Sequence, residues 1–271
     1  MPWSSVRRYQ KEMTDFDTRF DGIARLYGRD GLKRLRHSHV CVIGLGGVGS
    51  WTVEALARSG VGKLTLVDLD EICITNINRQ LHALDATVTR SKVEVMAERV
   101  LAINPGCEVI SLFTFFTETN AEKILSTPFD CVVDAIDSVA HKCRLIVLCQ
   151  EKKIPLVVCG GAGGRRDPTR VKTGDLSFAS HDRLMSSVRA RLRRDHGFPR
   201  GHGKFGIECV YSSELPVFPR ADGTICDTRE SAAIGDGLKL NCGWGFGSAT
   251  FVTGAVGFAA AALAVKKIVD R

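Results

Sequence analysis

The stretch HVCVIGLGGVGS, residues 39–50, decides the fold of this chain. It begins with an apolar run rich in β-branched residues, which is typical of a buried strand. A G-x-G-x-x-G pattern follows the run and leads into a segment with helical character, residues 50–59. This order favours a nucleotide site over a purely structural turn, because glycines let the backbone approach a phosphate and a helix N-terminus attracts negative charge. The predicted phosphate loop comprises Gly44, Gly46, Gly47 and Gly49.

The same alternation of strand and helix extends on both sides of this stretch. Apolar runs and amphipathic spacing predict strands at 39–43, 63–69, 108–113, 130–134 and 154–159, with helices at 50–59, 91–103, 119–125 and 141–151. Such alternation is typical of a parallel sheet wound with helices. We therefore predict an α/β, Rossmann-like, mainly parallel sheet with helices on both faces.

The pattern changes after residue 164. Additional strands are expected at 170–176 and 205–213, around a basic helix at 182–194, and a C-terminal apolar helix is expected from about residue 249. The whole chain is interpreted as one domain. It has an N-terminal lead-in (1–36), a nucleotide-binding core (37–164) and a substrate-side and C-terminal part (165–271).

Composition restricts the class of protein. The 271 residues are 44% hydrophobic and 25% charged, which excludes disorder as the main state. Ten scattered cysteines form no C-x-x-C pair, and the N-terminus has no apolar signal-peptide core, so a reduced cytoplasmic compartment is expected. The uncharged residues 243–265 are long enough to span a bilayer, but their glycines favour a buried helix over the alternative of membrane association.

The excess positive charge is local. Residues 165–204 contain eleven Lys or Arg against four Asp or Glu, a net of +7 that equals the net charge of the whole chain. A basic region of this kind favours an anionic partner such as a nucleic acid, although a solvated helix face is the common alternative.

Polar residues after the second strand distinguish between nucleotides. Asp68 follows Gly49 by 19 residues, where an acid can accept hydrogen bonds from ribose hydroxyls. Arg79 and Lys92 lie downstream, where their cations can meet a polyphosphate, and Asp137 can hold Mg²⁺. A redox dinucleotide needs neither feature, so ATP with Mg²⁺ is favoured over a nicotinamide cofactor.

Taken together, these motifs resemble the ubiquitin-activating-enzyme-like, or ThiF-type, adenylyltransferases. The shared features are the G-x-G-G-x-G loop, D-x-D followed by T-N-x-x-R-Q, the downstream lysine and D-x-x-D. The segments GGVGSW, NRQLHAL, GGAGGRRDPT and CGWGFGSAT look like one branch, the tRNA threonylcarbamoyladenosine dehydratases. The resemblance extends from about residue 19 to residue 267.

The resemblance implies a homodimer that binds ATP and Mg²⁺ and acts on tRNA. It adenylates the carboxylate of threonylcarbamoyladenosine beside the anticodon, and the activated group then cyclises with net loss of water. Arg79, Lys92 and Asp137 are implied as catalytic residues, with Asp137 on the metal. The implied nucleotide-binding set is Gly44, Gly46, Gly47, Gly49, Asp68, Asp70, Thr75, Asn76, Arg79, Lys92, Asp137 and Ser138.

Other expectations follow from the same family. An N-terminal arginine reaches the ATP of the other subunit in some relatives, and Arg19 and Arg25 both qualify. Cys242 is either a nucleophile that traps the acyl group or, as we favour, an inert thiol. A sulfur-relay or cysteine desulfurase partner is also implied. Independently of the family, the charge of the basic helix at 182–194 predicts tRNA contacts by Arg189, Arg191, Arg193 and Arg194.

Three competing functions are weighed against this one. An adenylyltransferase for a ubiquitin-like sulfur carrier is disfavoured, because the zinc-binding cysteine pairs of those enzymes are absent from the sequence. A nicotinamide dehydrogenase predicts tight NAD binding and no affinity for ATP. An inactive ATP-binding protein is disfavoured by the presence of Arg79, Lys92 and Asp137.

Overall fold

The computed structural model describes residues 15–220, 222–226 and 246–271. The helices are α1 (Asp15–Arg19), α2 (Asp21–His37), α3 (Gly49–Arg58), α4 (Lys92–Ile103), α5 (Ala121–Ile124), α6 (Val139–Glu151), α7 (Arg183–Asp195) and α8 (Thr250–Val269). The strands are β1 (His39–Ile43), β2 (Lys63–Asp68), β3 (Glu108–Phe113), β4 (Cys131–Asp134), β5 (Leu156–Cys159), β6 (Val171–Asp175), β7 (Glu208–Ser212), β8 (Phe218–Pro219) and β9 (Ile225–Cys226).

Seven strands form one sheet in the order β3-β2-β1-β4-β5-β7-β6. Six of them are parallel, and β6 pairs antiparallel with β7 at one edge. The predicted α/β fold is confirmed, and the predicted element ends agree to within one to three residues. A short antiparallel pair, β8–β9, lies outside this sheet.

The central strands are buried on both faces, which explains their continuous apolar sequences. Alternate residues of β1 point to opposite sides of the sheet. Val40 and Val42 join a core formed with α2, α3, α4 and α8, whereas Cys41 and Ile43 join a second core formed with α5, α6 and α7. The two cores place helices on both sides of the sheet.

Helix α8 has the length and the apolar composition of a membrane span, but 56% of its most apolar window is buried inside the protein. It packs on α2, α3 and the strands β4, β5 and β7. A Cβ atom at Gly257 would lie 2.6 Å from the carbonyl oxygen of Val48, so glycine permits the close approach of α8 to α3. The expected buried C-terminal helix is therefore present.

Candidate active site

The candidate site lies at the carboxyl edge of the parallel strands, beside β1 and β4. Strands β2 and β3 continue the sheet to one side of β1, and β4 and β5 continue it to the other. Open α/β sheets bind ligands at such a switch point, outside the carboxyl ends of the strands. The glycine loop follows β1 here, and the backbone of residues 135–136 lies against Gly44.

The four loop glycines have different roles. Gly44 has a φ of +90°, and a Cβ there would lie 2.8 Å from the Ala135 carbonyl oxygen. A Cβ at Gly49 would lie 1.8 Å from the Gly44 carbonyl oxygen. At Gly47 the nearest atom, in Thr253, would be 3.1 Å away, whereas a Cβ at Gly46 would have no atom within 4 Å. Gly44 and Gly49 thus close the turn, and the space beside Gly46 is open; its occupation by a phosphate stays a prediction.

Asp68 ties the end of β2 to the glycine loop. One carboxylate oxygen accepts a hydrogen bond from the Leu45 N–H at 2.7 Å, and the other accepts from the Asp70 N–H at 2.8 Å. Burial raises the pKa of Asp68, while the nearby Lys92 cation opposes that rise. Asp68 therefore organises the loop, and its contact with a ribose stays a prediction.

Lys92 is the first residue of α4, and its side chain is almost completely buried. Its ammonium nitrogen lies 2.7 Å from a carboxylate oxygen of Asp70 and 4.0 Å from one of Asp68. The structure thus brings together Asp68, Asp70 and Lys92, three members of the nucleotide-binding set that the sequence analysis implied. A buried ammonium beside the phosphate loop is suited to stabilising phosphate charge.

The segment with Asn76 and Arg79 begins with a short 3₁₀ turn, Ile74–Asn76. The Asn76 side chain accepts a hydrogen bond from the Cys73 N–H at 3.1 Å, so it shapes the turn. The Arg79 guanidinium donates to the Thr75 carbonyl oxygen at 2.7 Å. The Arg79 side chain lies beside the glycine loop, because a Cβ atom at Gly47 would be 3.3 Å from the Arg79 Cγ.

Three residues that the sequence analysis did not select hold this segment in place. The Trp51 indole N–H donates to the Arg79 carbonyl oxygen at 3.1 Å, and the Thr253 hydroxyl donates to the same oxygen at 3.2 Å. The Thr250 hydroxyl also donates, to the Asn78 carbonyl oxygen at 2.6 Å. The N-terminal end of α8 is therefore part of the support of the site. No local sequence signal indicates this, because the partners are more than 170 residues apart.

Asp137 is exposed in the loop after β4, and Ser138 follows it at the N-cap of α6. Within the described ranges the Asp137 carboxylate forms no hydrogen bond or ion pair, and no three metal-ligating side chains are grouped together. One free carboxylate fits Mg²⁺, which commonly binds one or two carboxylates together with substrate phosphates and water. Asp137 would supply the protein oxygen of such a site.

A buried ion pair below this loop was not selected from the sequence. Lys142 and Asp134 are both fully buried, with 2.9 Å between the ammonium nitrogen and a carboxylate oxygen. The available signal was a lysine on the apolar face of α6, in register with Ile146 and Cys149.

The remaining predicted residues lie elsewhere. Arg19 and Arg25 pair with acids one turn earlier in α1 and α2. On α7, Arg189 donates to the Ala179 carbonyl oxygen at 2.5 Å, and Arg193 donates to that of Pro199 at 3.1 Å. Both Arg191 and Arg194 pair with Asp195. Cys242 lies outside the described residues.

Comparison with known proteins settles the family. The model of the ThiF family matches residues 21–271. The chain belongs to the ThiF family. It is 47% identical over 255 residues to the tRNA threonylcarbamoyladenosine dehydratase of Escherichia coli K12, with 93% of this chain and 94% of that protein covered. It is 46% identical to the enzyme of the same name from Haemophilus influenzae, with 95% and 94% covered.

Solved structures agree with the sequence match. The crystal structure of the E. coli dehydratase in complex with ATP is 43% identical and has a TM-score of 0.82, with 94% of this chain and 96% of that chain covered. This ThiF-family chain therefore has the fold of a relative that was crystallised with ATP. The family resemblance drawn from the motifs is confirmed.

Proposed function

We propose that this protein is an ATP-dependent tRNA threonylcarbamoyladenosine dehydratase. The observation that carries the proposal is the glycine loop at the carboxyl edge of the sheet, with open space at Gly46, Arg79 beside it, and Lys92 next to the loop-bound Asp68. It occurs in a chain that matches dehydratases of that name along more than nine-tenths of its length. ATP and tRNA are accordingly its substrates.

The chemistry follows from the charges at the site. A carboxylate is a poor electrophile, so its oxygen first attacks the α-phosphorus of ATP and pyrophosphate leaves. The resulting mixed anhydride has AMP as a good leaving group. A nucleophilic atom of the same threonylcarbamoyl group then attacks the activated carbonyl carbon, and AMP departs. Because ring closure is intramolecular, its entropic cost is small.

Arg79 and Lys92 would act during the first step, when negative charge develops on the phosphates. Fixed cations stabilise that charge more in the transition state than in the ground state. When bound at Asp137, Mg²⁺ would neutralise phosphate charge. Asp68, held against the glycine loop, would orient the ribose through its hydroxyls.

Several properties extend the proposal. We propose a homodimer in which Arg19 or Arg25 reaches the other subunit's ATP, a cytoplasmic location, and a sulfur-relay or cysteine desulfurase partner. Cys242 is proposed to be an inert thiol. A Cys242→Ala variant should therefore keep most of the cyclisation rate; a loss of about a hundredfold or more, with adenylation intact, would assign it a covalent role.

The test is direct. Purified protein is mixed with ATP, Mg²⁺ and tRNA carrying threonylcarbamoyladenosine, and the digested nucleosides are weighed by mass spectrometry. We expect ATP-dependent loss of one water from that nucleoside, abolished by Asp137→Ala and retained by the surface control Glu122→Ala. AMP formation without a mass change would redirect the activity to another carboxylate, such as the C-terminus of a sulfur-carrier protein. Absence of both would refute an autonomous dehydratase.

A further inference from the structure

The two ends of the basic region 165–204 lie near opposite ends of the strands: its first residues are near their carboxyl ends and its last residues near their amino ends. Strand β6 is antiparallel to β7, and Val171 at its beginning pairs with Ser212 at the carboxyl end of β7. The Arg170 carbonyl oxygen accepts a hydrogen bond from the Ser213 N–H at 2.9 Å. The first residues of the basic region are therefore at the carboxyl edge, which also holds the candidate active site.

Helix α7 runs from the carboxyl ends of the strands towards their amino ends. Its N-cap residue Asp182 accepts a hydrogen bond from the Gly161 N–H, just beyond the carboxyl end of β5. Its last turn places Arg193 over the ring of Phe205, which precedes the amino end of β7. Thirteen helical residues span roughly 20 Å at 1.5 Å each. The last arginines of α7 are thus about that far from the carboxyl edge.

The cations at the carboxyl edge also differ from the last arginines of α7 in whether they have partners within the protein. Arg166, Arg170 and Lys172, here called the edge cluster, are all exposed. Among the residues that the structure describes, none of their three side chains forms a hydrogen bond or an ion pair. Two acids lie nearby: Asp167 accepts from the Thr169 N–H and hydroxyl, and Glu214 accepts from the Arg166 and Asp167 N–H groups. Both acids are thus occupied by the loop itself.

We propose that the edge cluster is the main surface that contacts the tRNA backbone next to the modified nucleotide. The inference rests on the proposed function. The carboxylate of the modified nucleotide must meet the α-phosphate of ATP at the carboxyl edge. The backbone phosphates that flank that nucleotide therefore pass over the same edge. Phosphate contacts fix the register of a nucleic acid on a protein. The cluster lies at this edge three strand positions, about 14 Å, from β4. Its free cations are suited to that role, whereas the last arginines of α7 are in addition about 20 Å from this edge and are engaged within the chain.

The inference is tested by comparing two variants of equal charge change. One is Arg166→Gln/Arg170→Gln/Lys172→Gln in the edge cluster. The other is Arg191→Gln/Arg194→Gln/Arg200→Gln, which removes three cations at or beyond the far end of α7, of which Arg191 is half-buried and the other two are exposed. The Kd for tRNA carrying threonylcarbamoyladenosine is measured from 50 to 200 mM KCl. ATP affinity and the melting temperature report whether each variant is folded.

For the edge-cluster variant we expect the Kd to rise on the order of tenfold or more. The slope of log Kd against the logarithm of the salt concentration should decrease by about two to three. The α7 variant should change both by much less. An equal or larger effect of the α7 variant, or no effect of the edge-cluster variant, would overturn the inference while leaving the dehydratase intact. If the wild-type protein binds no tRNA, the proposed function itself fails.

Discussion

The ammonium nitrogen of Lys142 lies 2.9 Å from a carboxylate oxygen of Asp134, and neither side chain is exposed to solvent. The ammonium also donates to the Cys159 carbonyl oxygen at 3.0 Å, and the carboxylate accepts from the Ile136 N–H at 3.0 Å. The pair thus joins the carboxyl ends of β4 and β5 and holds the start of the loop that carries Asp137. Burial raises the pKa of Asp134, and the Lys142 cation opposes the rise.

Replacing Lys142 with Met should destabilise the fold strongly, because it leaves the Asp134 carboxyl buried without its cation. We expect the free energy of unfolding to fall by about 3–5 kcal/mol, measured by urea denaturation at pH 7. Lys152→Met is the control. Lys152 forms an ion pair with Glu122 at the surface, and its removal should cost less than about 1 kcal/mol. Equal effects of the two substitutions would contradict the assigned role of the buried pair.

Two glycine substitutions should separate folding from nucleotide binding. Gly49→Ala places a methyl group 1.8 Å from the Gly44 carbonyl oxygen and should lower the unfolding free energy by about 3 kcal/mol or more. Gly46→Ala meets no atom within 4 Å, so stability should change by less than about 0.5 kcal/mol. The new methyl group would instead occupy phosphate space and raise the Kd for ATP about tenfold, or 1.4 kcal/mol. Unchanged ATP affinity in a folded Gly46→Ala protein would place the phosphates elsewhere.

Acid should destabilise the protein through His82. This residue is buried, and neither ring nitrogen has a hydrogen-bond partner among the described residues. Burial, aided by the charge of Lys92, lowers its pKa to about 3. The unfolded chain takes up this proton near pH 6.5 and the folded one does not, so the stability that neutral His82 contributes above pH 6.5 is lost as the pH falls towards 3.

Between pH 7 and pH 4 this loss amounts to about 3 kcal/mol. Urea denaturation across that range measures it, with His82→Gln compared with the wild type. The variant should lose less stability on acidification, whereas His196→Gln, at an exposed position, should follow the wild type. Parallel curves for His82→Gln and wild type would show that His82 is not buried in its neutral form.

Cys73 should be the most reactive of the described cysteines. It is exposed, whereas the other described cysteines are buried. A hydrogen bond from the Thr75 hydroxyl lowers the pKa of its thiol. Because the thiolate is the nucleophile, iodoacetamide should label Cys73 ahead of the buried thiols, as read by peptide mass spectrometry. Because Cys73 directly precedes the turn Ile74–Asn76, which contains the proposed nucleotide-binding residues Thr75 and Asn76, saturating ATP should slow the labelling. Labelling at an unchanged rate would count against nucleotide binding at this turn.

Much of the fold follows from local patterns. The apolar run at 39–43 became a strand with those bounds, since buried parallel strands need continuous apolar sequence. The strand at 108–113 also has the predicted bounds, although it is the outermost strand of the sheet and none of its residues is fully buried. The strand predicted at 154–159 begins instead at Leu156, because Pro155 has no N–H to donate to the sheet. Motif spacing likewise selected Asp68 and Lys92, and in the structure the Lys92 ammonium nitrogen lies 4.0 Å from an Asp68 carboxylate oxygen.

The sequence by itself determined which motifs form the candidate site and in what order they occur along the chain: the glycine loop, the acidic strand end, the downstream lysine and the loop carboxylate. Periodicity and motif spacing are properties of neighbouring residues, so they are readable without coordinates. Tertiary structure alone decided that Thr253 supports Arg79, that Gly46 is the open glycine, and that the edge cluster and the far end of α7 lie at opposite edges of the sheet. Each of these depends on which distant segments pack together, and charge counted along a chain contains no information about that.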